Sequence, residues 1–240
     1  MTEIRDLIQQ RHSTRAPFDP GHPVAEEDLR QILEAGRWAP TVHTMQNFEV
    51  IVVDDPKVIE RLGSLQSRIS AVFLRENYQQ LALSEEELLR RKVGILGTMF
   101  PPSWRATGAD FEKVARESAP SSLQSTIRGS PTLLVVVYDP ARRAPASEGD
   151  FLGIMSLGCL MENMWLMAES LGIGFQIMSV FGGETIEEQV KEVLGVPQSM
   201  KIAFAVRLAY PSSSPGKPLR VRRDVEDFVY HNRFGSRFRA

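Results

Sequence analysis

The stretch FLGIMSLGCLMENMWLMAESLG, residues 151–172, decides the fold. Apolar side chains recur around nearly its whole circumference, interrupted by Glu162, Asn163 and Glu169. Such polar groups are expensive in hydrocarbon and rare there, which argues against a membrane span. A helix apolar almost all round in a soluble chain is a central core helix. The rest of the fold must therefore wrap around it.

Strands lie on both sides of this helix in sequence. Residues 48–53 and 132–138 are continuous apolar runs stopped by Asp54-Asp55-Pro56 and Asp139-Pro140, the pattern of buried strands. Residues 174–180 and 201–208 read as two more. Helical periodicity predicts helices over 3–12 and over 24–38, the second ended by Pro40. Further helices are expected from Pro56 through Leu62, over 84–92, and over 185–194, where Gly195-Val196-Pro197 stops the run. Residues 64–129 are the least regular part, and the chain ends in a Pro/Ser/Gly-rich arm over 211–240. With no internal repeat, 1–240 reads as a single domain of α+β class, a mixed sheet packed around a long central helix. No GxGxxG follows a strand and no GxxxxGK[ST] occurs, so neither a Rossmann site nor a P-loop is supported.

Composition narrows the function classes. A net charge of -2 gives no general attraction to nucleic acid or anionic lipid. The lone Cys159 excludes an intrachain disulfide and a cysteine-rich zinc site. The N-terminal MTEIRDLIQQ has no apolar core of a signal peptide, and a cytoplasmic location is expected.

Four separated segments carry candidate chemistry. In RHSTR, Arg11 and Arg15 are four apart, with His12 and Ser13 between them. Two guanidinium forks so placed can converge on one anion, although the same residues also suit an ordinary basic helix end. The loop Pro40-Thr41-Val42-His43-Thr44-Met45-Gln46-Asn47 can pair with the edge of a flat heterocycle or satisfy its own backbone. The run QIMSVFGG, 176–183, offers backbone N–H groups at a strand end, or only a turn. Arg220-Val221-Arg222 alternates basic residues that can clamp a phosphate, or forms a solvated charge run. No Ser-His-Asp or Cys-His set stands out.

The order of these pieces resembles the flavin-dependent nitroreductase family over nearly the whole length. RHSTRAPFDP is similar to that family's opening Arg-x-Ser-x-Arg/Lys-x-Phe-Asp, and RWAPTVHTMQNF to its Ala-Pro-Ser-Ser-x-Asn-x-Gln-Pro-Trp loop. The central helix places Asn163 at the usual Gln-Asn position, KEVLGVP and AVRLAYP resemble two Leu-Gly marks, and RVRRDVEDFVY resembles the basic C-terminal end. The chain departs from the pattern at Thr44, where Asn is common, at Asn47-Phe48, and at Ala209, where glycine is usual.

The resemblance implies a homodimer with one FMN per subunit at the interface, reduced by NAD(P)H and reoxidised by a nitroaromatic, quinone or similar flat acceptor in a ping-pong cycle. Specialised flavin chemistry (reductive dehalogenation or flavin fragmentation) and a non-catalytic FMN sensor or store are the alternatives. It also implies that Arg11, His12 and Ser13 hold the phosphate and ribityl chain, with Arg220 and Arg222 completing the clamp. Arg15 would sit near N1 and O2, Thr44 and Gln46 near the pyrimidine edge, and backbone around Ser179 and Val180 near N5. Pro40, Thr41 and Val42 would reach the cavity from the other subunit. The variable region 64–129, with Phe73, Tyr78, Phe100, Trp104 and Phe111, would cover the site as a lid.

Overall fold

The computed structural model describes residues 3–15, 18–75, 85–91, 110–127, 129–145, 149–183, 186–211 and 222–238. Two compact units share the chain: 1–67 with 121–216, and 68–120 with 217–240.

The first unit is built on a four-stranded sheet. Its strands are β1 (Phe48–Val53), β4 (Thr132–Tyr138), β5 (Gly174–Met178) and β6 (Lys201–Ala209), in the order β1-β4-β6-β5. Every pairing among them is antiparallel. A short second pair, β2 (Gln66–Ser67) with β3 (Ser121–Ser122), ties the chain together where it leaves and re-enters this unit. β4 explains why a sheet strand can read as unbroken apolar sequence. Leu134 and Val136 face one core, and Leu133, Val135 and Val137 face another. A strand buried on both faces has no solvent side to mark its alternation.

The first core holds the central helix, α7 (Phe151–Ser170), and α2 (Glu26–Arg37). The two helices meet closely at Gly36, where a Cβ would lie 2.9 Å from Met164 Cγ and 3.0 Å from Leu160 Cδ1. Asn163 Nδ2 donates to the carbonyl of Ala35 at 3.1 Å, which gives the one amide of that face its partner. Helix α7 is thus central, but it is not enclosed all round. Ser156, Leu157, Leu160, Met164, Trp165 and Ala168 are buried, whereas Phe151, Ile154 and Met155 stay 50–71% exposed.

The second core, on the other sheet face, is roofed by α3 (Pro56–Ser64), α6 (Gln124–Ile127) and α8 (Glu187–Leu194). Asp55 caps α3 by accepting from Lys57 N at 2.8 Å, and Pro56 occupies its first turn, where no N–H is needed. Glu187 accepts from Ile202 N at 2.9 Å and lies 3.5 Å from the buried Lys191 ammonium, so a paired charge fixes α8 to β6.

Beyond the sheet, Tyr210 Oη donates to Asp28 Oδ2 at 2.5 Å and so fastens the end of β6 to the first turn of α2. That bond, with burial second, raises the phenol pKa. A raised folded pKa means stability that is complete below the unfolded value near 10 and lost as pH climbs through the folded one. Tyr210→Phe is therefore expected to cost about 1 kcal/mol at neutral pH. The variant should also unfold less steeply above about pH 10 than the parent, as urea titrations across the alkaline range would read.

The second unit contains α4 (Glu85–Arg91), α5 (Phe111–Glu117) and a 3-10 turn at Val225–Asp227. Asp110 caps α5 by accepting from Lys113 N at 3.1 Å. In the terminal arm Arg237 donates to the carbonyl of Glu226 at 2.6 Å, and Tyr230 packs on Phe234.

Sequence periodicity and structure part company at element ends. The first helix, α1, spans Ile4–Gln10 and not 3–12, because Arg11 turns to an extended backbone. β5 stops at Met178, two residues short of 180, and gives way to a 3-10 turn at Ser179–Gly182. Region 64–129 holds α4, α5, α6 and the β2–β3 pair as well as irregular chain; Tyr78, Phe100 and Trp104 lie outside the described residues.

Candidate flavin site

The extended segment that begins at Arg11 wraps around the free edge of β5. Arg11 lies on the central-helix side: its guanidinium sits 4.3 Å over the Trp165 ring, with Nε 2.9 Å from Glu162 Oε1. Nε has no well-directed hydrogen bond there, so the Glu162 contact is a charge pair. Trp165 Nε1 donates to the carbonyl of His12 at 3.2 Å, and His12 Nδ1 lies 3.2 Å from the Gln10 carbonyl and 3.6 Å from Glu169 Oε2. The ring's Nε2 is buried and has no partner among the described residues.

Thr14 crosses the edge itself, its N–H donating to the carbonyl of Phe175 at 3.0 Å. Phe18 then reaches the opposite face of the sheet. A Cβ on Gly174 would meet Phe18 Cε1 at 2.5 Å and Thr14 Cγ2 at 2.9 Å, so the glycine makes room for the crossing. The fully buried Arg207 guanidinium covers the Phe18 ring at 4.3 Å and donates to the Thr14 carbonyl at 3.0 Å. Between these anchors Ser13 is half-buried and Arg15 is exposed.

The loop after α2 is fixed at another level of α7. Val42 N donates to Ser156 Oγ at 3.2 Å, six residues before Glu162, or about 9 Å along the axis. Thr44 N donates to the Thr41 carbonyl at 3.0 Å, and Gln46 N to Thr41 Oγ1 at 3.3 Å. His43, Thr44 and Gln46 all have positive φ, at 51°, 53° and 44°. For a β-branched residue that conformation is strained, and such strain gathers where structure over-determines a site. His43, Thr44, Gln46 and Pro40 are exposed, and Thr41 and Val42 are half-buried. Thr44→Gly is expected to raise stability by about 1 kcal/mol, read as a higher Tm; a lower Tm would show that the hydroxyl outweighs the strain.

Ser179 and Val180 belong to the 3-10 turn that ends β5. The first N–H groups of such a turn lie outside its own bonding and are free to face a ligand. Arg220 lies outside the described residues, and Arg222 belongs to the second unit, where it is exposed. The structure thus brings Arg11 and His12 together on one face of α7, with Ser13 and Arg15 following on the same segment. The 40–46 loop forms a separate group.

Four side chains that anchor this arrangement were not among the sequence candidates. Glu162, Trp165 and Glu169 carry spacings of three and four, hence one helix face, a pattern visible in the sequence. Arg207 had one signal, a lone cation inside the apolar run KIAFAVRLA.

The geometry fits a phosphorylated flavin. The Arg11 guanidinium over Trp165, the hydroxyl-bearing segment that follows it and the backbone N–H groups at the start of the 179–182 turn suit a phosphate and a ring edge. No group of three or more His, Cys, Asp or Glu residues able to hold a metal occurs among the described residues.

Comparison with known proteins agrees with the architecture. The chain is 19% identical over 240 residues to an NADPH-dependent oxidoreductase of Staphylococcus haemolyticus, covering 97% of this chain and 74% of that one. A counterpart from Staphylococcus aureus is 21% identical over 231 residues, covering 96% and 74%. Among solved structures, a nitroreductase family protein of Clostridium difficile matches with a TM-score of 0.62 at 15% identity, covering 97% of this chain and 99% of the other. A nitroreductase with bound FMN from Bacteroides fragilis matches with a TM-score of 0.57 at 22% identity, covering 96% and 99%. The model of the nitroreductase family matches residues 8–210, from α1 to the end of β6, and the chain belongs to that family.

Proposed function

We propose that this protein is an FMN-dependent oxidoreductase that takes a hydride from NAD(P)H and delivers it to a nitroaromatic, quinone or similar flat acceptor, working as a homodimer. The observation that carries the reading is the donor-bearing segment folded over the β5 edge, with Arg11 braced by Glu162 and Trp165. When bound, FMN supplies the hydride acceptance and release that no side chain here can perform.

The chain's own residues supply position and field. Bracing Arg11 through Nε leaves its two terminal nitrogens for phosphate oxygens, with the His12 ring and the Ser13 hydroxyl as polar neighbours on the same segment. Glu162 offsets part of the Arg11 charge, so a dianionic phosphate needs more cations, and Arg220 and Arg222 are the candidates. Arg15 would supply the cationic field that favours the reduced flavin ring. The N–H groups at Ser179 and Val180 would serve the N5 side of the ring. Thr44 and Gln46 would lie at the pyrimidine edge, and Pro40, Thr41 and Val42 would line the partner's cavity. That assignment fits their attachment to a different level of α7. The uncovered apolar side of α7, with Phe151, Ile154 and Met155, is a surface suited to the second copy.

An anaerobic visible spectrum of the purified protein, before and after NADPH and then NADH, tests the reading. A yellow protein that bleaches and recovers colour with a nitroaromatic or quinone is the expected result. Bound flavin that neither nucleotide bleaches would point to a sensor, and a protein that cannot be loaded with FMN would sink the proposal.

A further inference from the structure

We infer that Arg207 is the positioning residue of the anion-binding segment: its buried guanidinium fixes residues 13–15 in the path from which Ser13 and Arg15 act. The inference rests on the FMN reading above.

Strand alternation places Val206 and Leu208 toward the central helix and Ala205 toward the second core, so Arg207 projects to the side opposite α7. A guanidinium cannot shed its charge, and its complete burial is tolerated only through directed hydrogen bonds. Arg207 Nε donates to Gln176 Oε1 at 2.6 Å, across the paired strand. Its Nη2 donates to the Thr14 carbonyl at 3.0 Å, and its face covers Phe18 at 4.3 Å. Thr14 and Phe18 bracket Arg15, so one side chain holds both flanks of the proposed N1/O2 residue. The Thr14 N–H is already taken by Phe175, which leaves its carbonyl to be satisfied by Arg207. Thr14 is buried, and in extended chain its neighbours point the other way. The directions of Ser13 and Arg15 therefore follow from how Thr14 is docked. Filling the same space would need only an apolar side chain. A costly buried cation is explained by the need to hold the carbonyl of a segment that belongs to no strand.

Arg207→Met and Arg207→Lys test this at temperatures where each variant is folded. In Arg207→Met, amide exchange at Thr14 should speed up about tenfold or more, and FMN should bind about tenfold more weakly. The potential of the bound flavin should fall as Arg15 leaves N1, and Arg207→Lys should recover part of each change. Val190→Ala, in the core beneath α8, serves as a control of comparable thermal loss with FMN affinity retained. Unchanged Thr14 exchange in a folded Arg207 variant would overturn the positioning role, as would an equal loss of affinity in Val190→Ala. If Arg207→Met does not fold, Arg207→Lys carries the same measurements. A parent chain that binds no FMN would remove the FMN reading alone, because exchange at Thr14 reports the clamp without any flavin.

Discussion

Replacing Gly174 with Ala is expected to destabilise the protein by about 3 kcal/mol, the scale of overpacking in a filled core. The new Cβ would stand 2.5 Å from Phe18 Cε1 and 2.9 Å from both Phe18 Cζ and Thr14 Cγ2. The ring has no room to retreat: Phe18 is 4% exposed, and the Arg207 guanidinium lies against it. Relief comes only by lifting the segment off β5, which breaks the Thr14 N–H bond to Phe175 and uncovers the Arg207 charge. In a chain of this length a loss of that size lowers Tm by roughly 6–12 °C. Because the same segment holds Ser13 and Arg15, FMN affinity should fall with it. A Gly174→Ala protein with parental Tm and parental FMN affinity would show that the edge crossing is not tight.

Arg11→Ala carries the second large effect, a loss of FMN affinity of about 100-fold, equivalent to a two-point charge-assisted contact. Salt sharpens the test, since the partly exposed Arg11 contribution should shrink at high ionic strength. Glu162→Gln should move affinity the other way. It removes the carboxylate that offsets Arg11 while leaving a side chain of the same shape beside the guanidinium. If Arg11→Ala purified with a full complement of flavin, the phosphate would have to be held elsewhere. If Glu162→Gln weakened binding instead, the carboxylate would be acting chiefly to orient Arg11.

The sequence is most legible where stops are chemical. Phe48–Val53 and Thr132–Tyr138 appear with their expected bounds because Asp and Pro close both runs. It is least legible where long-range partners override periodicity. Arg11 and His12 continue a helical pattern, yet Trp165 takes the His12 carbonyl and Glu162 faces Arg11, 151 residues away in the chain. The apolar surround of 151–172 pointed to a core helix, but could not say that the side bearing Phe151 and Ile154 would remain uncovered. The anion-binding segment was readable as a cluster of donors. Its brace was not, because Glu162 and Glu169 meet their partners only once residues 11–12 lie against α7, and Arg207 only once Thr14 and Phe18 cross the β5 edge.

The strand order also sets a timetable for biosynthesis. β6 sits between β4 and β5, so two of the three pairings in the sheet wait for residues 201–209. Until the ribosome has released them, β4 can be complete only on its β1 side. Its other edge then displays TLLVVVY, apolar on both faces and without charge or proline, the composition of a self-associating strand. A nascent chain must carry that edge for about 60 residues of further synthesis. At roughly 5–20 residues per second this is several seconds of exposure. A chain terminated after residue 200 is therefore expected to partition into the insoluble fraction, while one terminated after the end of β6 should remain in solution.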